Sequence, residues 1–202
     1  MNTLIIVESP HKTEAVARYT REVLPGNVTV RACLGHLRDL PPGQLGVDVA
    51  NGFRPEYQVM GNRQKTVENL RSAIRDADRV LLATDPDREG EAVAWHVVKV
   101  FEIELKGKAV ERISFNAITR PAVQAALAQP YPLNKRLVRA AVARRVMDRL
   151  VGYTLSPRLW AVITGKNLSA GRVQTVALRL LVDQEKVRHK DSQECWSVEV
   201  EI

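Results

Sequence analysis

Val80-Leu81-Leu82-Ala83-Thr84-Asp85-Pro86-Asp87-Arg88-Glu89-Gly90-Glu91 sets a short apolar run directly in front of a dense set of carboxylates. An apolar run of this length, bounded by polar residues, reads as a strand buried on both faces, as the inner strands of a parallel sheet must be. The acids then stand at its carboxyl end, where open parallel sheets bind their ligands. Asp85 precedes a proline, which keeps it extended and outside the helix that follows. Clustered carboxylates repel one another unless a cation offsets them, and magnesium, hard and oxygen-seeking, suits that task. Acids also complement the dipole at a helix start, but that accounts for one or two of them and hardly for all.

Outward from this stretch, strands and helices alternate. Leu4-Ile5-Ile6-Val7 reads as another buried strand, and a parallel sheet brings Glu8, which ends it, to the same edge as Asp85. There Glu8 becomes a candidate general acid/base or an extra metal ligand. Ser9-Pro10 reads as a helix start, with Ser9 as N-cap and Pro10 in the first helical position. Lys12 lies one turn on, a positive charge for an anionic substrate, and Val16, Tyr19 and Val23 form the helix's apolar stripe before Pro25-Gly26. Val28-Thr29-Val30 is a second strand, followed by a loop, Gly35-His36-Leu37-Arg38-Asp39-Leu40, that holds His36 and Arg38. Residues 40–60, rich in Gly and Pro, read as loop. Residues 65–77 and 89–101 fit helices, the first with Val67, Leu70 and Ile74 on one side, and residues 109–115 fit a further strand carrying Arg112. The whole describes an α/β fold, a parallel sheet with flanking helices, followed by a smaller basic all-helical segment.

The charge divides the chain in the same way. Residues 1–118 carry 16 basic and 16 acidic side chains, whereas residues 119–182 carry 11 basic residues and one acid, Asp148. So one-sided a segment points to an anionic partner, nucleic acid first, although a solvated face has the same composition. Its helices fall at about 121–128, 134–152 and 172–188, separated at Pro130/Pro132, Ser156-Pro157 and Gly165/Gly171. Arg145 and Arg149 share a helix face by i,i+4 spacing, with Asp148 beside Arg144 on the adjoining stripe, where it can orient an arginine. Ser169-Ala170-Gly171-Arg172-Val173-Gln174 opens the last helix, and its free N–H groups form an anion cradle. Cys195 to Ile202 alternates as the first strand of a following domain, giving the divisions 1–118, 119–190 and 191–202.

The composition of the 202 residues, 45% apolar and 26% charged, is that of a globular protein and sets disorder aside. Cys33 and Cys195 are too far apart for a zinc or redox motif, so a disulfide scaffold is set aside as well. The apolar opening is too short for a signal or membrane helix.

Six stretches, in order, are similar to the N-terminal part of the type IA DNA topoisomerase family in its bacterial form. They are Ile6 to Lys12, Gly35 to Pro41, Ala83 to His96, Arg112 to Thr119, Ala143 to Tyr153 and Ser169 to Gln174, and the similarity runs from residue 2 to 202. The resemblance implies a Toprim domain over 1–118, with Glu8 as its strand-end glutamate and Asp85 and Asp87 as its Asp-x-Asp pair beside Glu89. These four would hold Mg2+, while Glu8, Lys12 and Arg112 would act at the transferring phosphate. His36, Arg144, Arg145, Arg149, Ser169, Gly171, Arg172 and Gln174 would bind single-stranded DNA. The implied reaction is relaxation of negatively supercoiled DNA by transient single-strand cleavage and religation, without ATP, in a monomer of the cytoplasm, at the nucleoid. The family's nucleophilic tyrosine sits in a Tyr-x-Arg-Thr-Asp-Ser-like setting, and Tyr19, Tyr57, Tyr131 and Tyr153 all lack it. These residues alone are therefore expected to bind metal and DNA without relaxing it. The alternative is a Toprim-containing DNA- and metal-binding or regulatory module with no strand-passage chemistry. A different Toprim enzyme, such as a primase or nuclease, fits less well, since the arginine-rich and Ser169–Gln174 runs belong to the topoisomerase context.

Overall fold

The computed structural model describes residues 1–163 and 168–190, together with Ser197 and Glu199. The central sheet has the order β2-β1-β7-β8 and is parallel throughout, formed by β1 (Asn2–Val7), β2 (Asn27–Ala32), β7 (Arg79–Ala83) and β8 (Ala109–Arg112). Side chains alternate across a strand, so the apolar run of β1 serves two cores at once. Leu4 and Ile6 pack with Val80, Leu82, Val67, Leu70, Ile74, Val93, Val97 and Phe101 on one face. Ile5 and Val7 pack with Leu81, Val16, Val28, Val30, Val123 and Leu127 on the other.

The helices follow the apolar spacing. A 3-10 turn at Pro10–Lys12, capped by the Ser9 side chain on the amide of His11, leads into α1 (Thr13–Arg21). Val16 is buried and Tyr19 half-buried, but Val23 lies past the helix end and is exposed. α2 (Gln64–Asp76) buries Val67, Leu70 and Ile74 as its periodicity requires, and α3 (Arg88–Val100) follows β7. Residues 40–60 hold more order than loop composition implies: β3 (Arg38–Asp39) pairs with β6 (Gln58–Val59), and β4 (Val47–Asp48) with β5 (Arg54–Pro55). β8 ends at Arg112, short of Phe115, and there Tyr131 bridges it on the side away from β7, exchanging backbone bonds at 2.8 and 3.0 Å.

The first compact unit runs from Met1 to Val146. It continues past residue 118 because α4 (Arg120–Ala128) sets Val123, Ala126 and Leu127 into the same core as Ile5 and Val7. The second unit begins at Met147. α5 (Lys135–Val162) runs straight through Pro157, correcting the expected break at Ser156-Pro157. An internal proline removes one helical hydrogen bond and costs about 3 kcal/mol, and the helix around it is tied to Leu168 and Ala170. The Ser156 hydroxyl accepts from the Ala170 amide at 3.0 Å, and Trp160 Nε1 donates to the Leu168 carbonyl at 2.7 Å. α6 (Arg172–Lys190) follows. The expected break at Gly165 and strand from Cys195 lie outside the described residues, apart from Ser197 and Glu199. Among the described residues no helix is long and apolar enough to cross a membrane.

Candidate active site at the carboxyl edge of the sheet

The chain leaves β1 toward β2 on one side and reaches β7 on the other, so strand order reverses between β1 and β7. Open α/β sheets bind ligands outside such a reversal. Val7 is paired with Ala83, which brings Glu8 and the Thr84-Asp85 turn out side by side. Lys12 donates its ammonium to Asp85 Oδ1 across the gap. Half burial, above all, raises the Glu8 carboxyl above the ordinary carboxylate range, and Asp85 and then Asp87 add to this against the opposing pull of Lys12 and His36.

The other acids have distinct local tasks. Asp87 is the N-cap of α3 and accepts from the Gly90 amide at 2.7 Å. Glu89 is exposed and faces His36, with Nε2 to Oε2 at 3.7 Å. Gly90 is required by close approach, since a Cβ there would lie 2.2 Å from the Asp85 carbonyl oxygen. Any side chain at Gly90 therefore displaces the turn that aims Asp85.

Glu91 and Arg112 correct the sequence reading. Arg112 is fully buried and cannot meet a phosphate; its Nε donates to Glu91 at 2.9 Å, and the Glu91 side chain is only 2% exposed. The remaining guanidinium donors reach the Leu82 carbonyl at 2.8 Å, the Thr84 hydroxyl at 2.7 Å and the Thr84 and Asp85 carbonyls at 3.2 Å. Arg112 thus holds the acid turn from beneath. The second Glu91 oxygen accepts the amide of Asn134, whose own side chain caps the start of α5 at Arg136 and Leu137. Glu91 is consequently structural, and the acids open to a ligand number three plus Glu8. Among the described residues no group of three His, Cys, Asp or Glu is drawn together closely enough to hold a metal ion as it stands. The chemistry of the donors nevertheless fits a hard divalent cation: all are carboxylate oxygens, and the charges of Asp85 and Asp87 bear on Glu8.

His96, buried on α3, accepts from Arg38 Nε at 2.7 Å through Nδ1. Burial, Arg38 and His36 depress its pKa from 6.5 to about 3. Between those values the unfolded chain binds a proton that the folded chain refuses, so stability falls as pH falls through the window. The loss approaches about 1.4 kcal/mol per pH unit once well below the unfolded value. Urea unfolding midpoints at about pH 7.5 and 5 measure it, and His96→Asn removes most of this dependence. Cys33 is a buried thiol pushed up to about 12 by desolvation, hence unreactive.

The expected DNA-binding residues fall in both units. In the first unit Arg145 clasps Asp39 with two bonds, the Nε one at 2.9 Å, and Arg144 is half-buried on α5. In the second, Arg149 donates to the Tyr153 hydroxyl at 2.9 Å and lies over its ring, while Arg172 donates to Asp148 at 2.7 Å. Asp148 orients an arginine as expected of it, and the arginine is Arg172. At Ser169–Gln174, just before and at the start of α6, Ala170 N is bonded to the Ser156 hydroxyl and Gly171 N to Thr175 Oγ1, while Gln174 Nε2 donates to Ser169 Oγ.

A parallel sheet with acids at the β1/β7 reversal is the Toprim arrangement, and residues 3–118 match the Toprim domain. Residues 132–202 match the DNA topoisomerase family. Full-length topoisomerase I from Thermotoga maritima, in a monoclinic crystal form, is similar at 41% identity and a TM-score of 0.76. The match covers 91% of this chain and 30% of that one, so the chain spans under a third of its length. The chain belongs to the type IA DNA topoisomerase family, matching its N-terminal region. Toprim domains typically bind magnesium.

Proposed function

We propose that these residues form the phosphate-handling edge and part of the single-strand path of an enzyme that relaxes negatively supercoiled DNA by transient cleavage and religation. The observation that carries this is the convergence of Glu8, Lys12 and Asp85 at the strand-order reversal, with Asp87 fixed beside them as a helix cap. Glu8, whose proton affinity is raised, moves a proton to or from the oxygen that leaves or returns at the cut strand. Lys12 offsets charge at the same phosphate. Arg112 acts through the Asp85 turn, as a positioning residue. Glu8, Asp85, Asp87 and Glu89 would hold magnesium, which supplies charge neutralisation at the phosphate when bound. Arg145, Arg149 and Arg172, with Arg144, His36, Ser169, Gly171 and Gln174, contact single-stranded DNA.

The tyrosines favour a division of labour. Tyr19 and Tyr153 accept bonds from Arg18 and Arg149, Tyr131 is fixed against β8, and the Tyr57 ring lies against Arg38. None lies in the Tyr-x-Arg-Thr-Asp-Ser-like setting of the family's nucleophile, so these residues by themselves bind metal and DNA and leave supercoiled plasmid unrelaxed.

Manganese stands in for magnesium as a paramagnetic probe. Wild-type resonances of Glu8 and the 85–89 turn broaden as it is added, and in Asp85→Asn/Asp87→Asn they do not. Equal broadening in both proteins would refute the assignment.

A further inference from the structure

Arg38 has little freedom. Its guanidinium lies over Trp95 at 4.6 Å and over Tyr57 at 5.2 Å, and the two rings meet edge-on at 5.8 Å. Arginine carries only donors, so its Nε–H bonds His96 at 2.7 Å only if Nδ1 of that ring is unprotonated. His96 is 3% exposed and is therefore a neutral imidazole with its proton on Nε2. The charged or titratable groups facing it include Arg38, His36, Asp39 and Tyr57. The His96 ring also meets Tyr57 at 4.7 Å and, edge-on, His36 at 5.2 Å.

His36, on the turn after β2, and Arg38, which opens β3, flank the fully buried Leu37, and both meet α3: Arg38 at Trp95 and His96, His36 at Glu89. Glu89 and His96 are two turns apart and so lie on one side of that helix. Before the loop, Leu34 and Gly35 both take left-handed φ values, 60° and 81°, turning the chain from β2 toward the acid edge. A bulky residue held in that conformation needs surroundings that over-determine it.

We propose that Arg38 and His96 are positioning residues: their bond, caged by Tyr57 and Trp95, fixes the 35–40 loop on α3 and so presents His36 to Glu89. The idea rests on the reading of the acid edge for its importance, but its test needs neither metal nor DNA. Failure of one is therefore distinguishable from failure of the other.

The chain has four histidines, His11, His36, His96 and His189, so two-bond proton–nitrogen spectra of the histidine-labelled protein resolve each ring. His96 is expected neutral, with its proton on Nε2, from about pH 5.5 to about 8. His96→Asn keeps an acceptor near the Nδ1 position, His96→Phe keeps the ring and deletes the acceptor, and Arg38→Lys keeps the charge and deletes the planar fork. Cross-relaxation between the His36 ring and the Glu89 side chain is expected to survive in His96→Asn. It is lost in His96→Phe and Arg38→Lys, while the core methyl spectrum stays that of the wild type. An Nδ1-protonated or cationic His96 would overturn the proposal, as would a folded His96→Phe that keeps the contact. Loss in His96→Asn equal to that in His96→Phe would make His96 a packing residue only and overturn it too. If His96→Phe does not fold, the tautomer and Arg38→Lys decide.

Discussion

Glu91→Ala loses roughly 3–5 kcal/mol of stability, because it strands the Arg112 guanidinium without a counter-charge in a site closed to water. The same change removes the acceptor for the Asn134 amide, so the start of α5 loosens with it. In a unit of this size the loss lowers Tm by about 10–20 °C. Thermal unfolding followed by circular dichroism measures it, and a drop of only a degree or two would show that water enters beside Arg112. Replacing Glu91 and Arg112 together by apolar residues of similar volume recovers much of the loss, since buried ion pairs contribute little over a well-packed apolar pair. That double variant still lacks the clamp on the Thr84 and Asp85 carbonyls, and its manganese response weakens even where its stability returns.

The second large effect is on DNA. Binding of a labelled single-stranded oligonucleotide falls steeply with salt, because each neutralised phosphate releases counterions. Arg145→Ala/Arg149→Ala/Arg172→Ala weakens it across all sequences and flattens the dependence of log affinity on log salt by about 0.7 to 1 per lost contact. Each of these arginines already has a protein partner, Asp39, Tyr153 or Asp148. They are therefore held in place before DNA arrives and sacrifice little side-chain freedom on binding it. Asp85→Asn/Asp87→Asn keeps most of its metal-free DNA affinity in the same anisotropy titration. A triple-arginine variant that binds like the wild type would reduce the basic segment to a solvated face.

The sheet was legible because its signal is local. The runs at 4–7 and 80–83 are apolar at every position and short, as a strand buried on both sides requires. Once the strands were parallel, Glu8 and Asp85 had to share an edge, and they do. The role of Arg112 was not legible. Its partner lies 21 residues away on another element, and burial depends on packing that no spacing records. A strand arginine looks the same whether it faces solvent or a buried glutamate. The Tyr57, Trp95, Arg38 and His96 cage was hidden for the same reason, its members being drawn from a short strand, a loop and a helix. Pro157 misled in the other direction: local propensity argues for a break, and tertiary context carries the helix through it. At Ser169–Gln174 the helix start is legible from its residues, while the bonds of the Ala170 and Gly171 amides to Ser156 and Thr175 depend on side chains several residues away.

The position of β1 in the sheet bears on how the protein is made. β1 lies between β2 and β7, yet β7 follows β2 by roughly fifty residues, which a ribosome adds at about 5–20 per second. For several seconds, then, the first strand has emerged with one backbone edge and much of two apolar faces uncovered. Parallel pairings of such long sequence separation are slow to close in any case. The nascent chain is most open to aggregation, and most in need of a chaperone, in the interval before Val80-Leu81-Leu82-Ala83 appears. A ribosome stalled within residues 40–75 would hold it there.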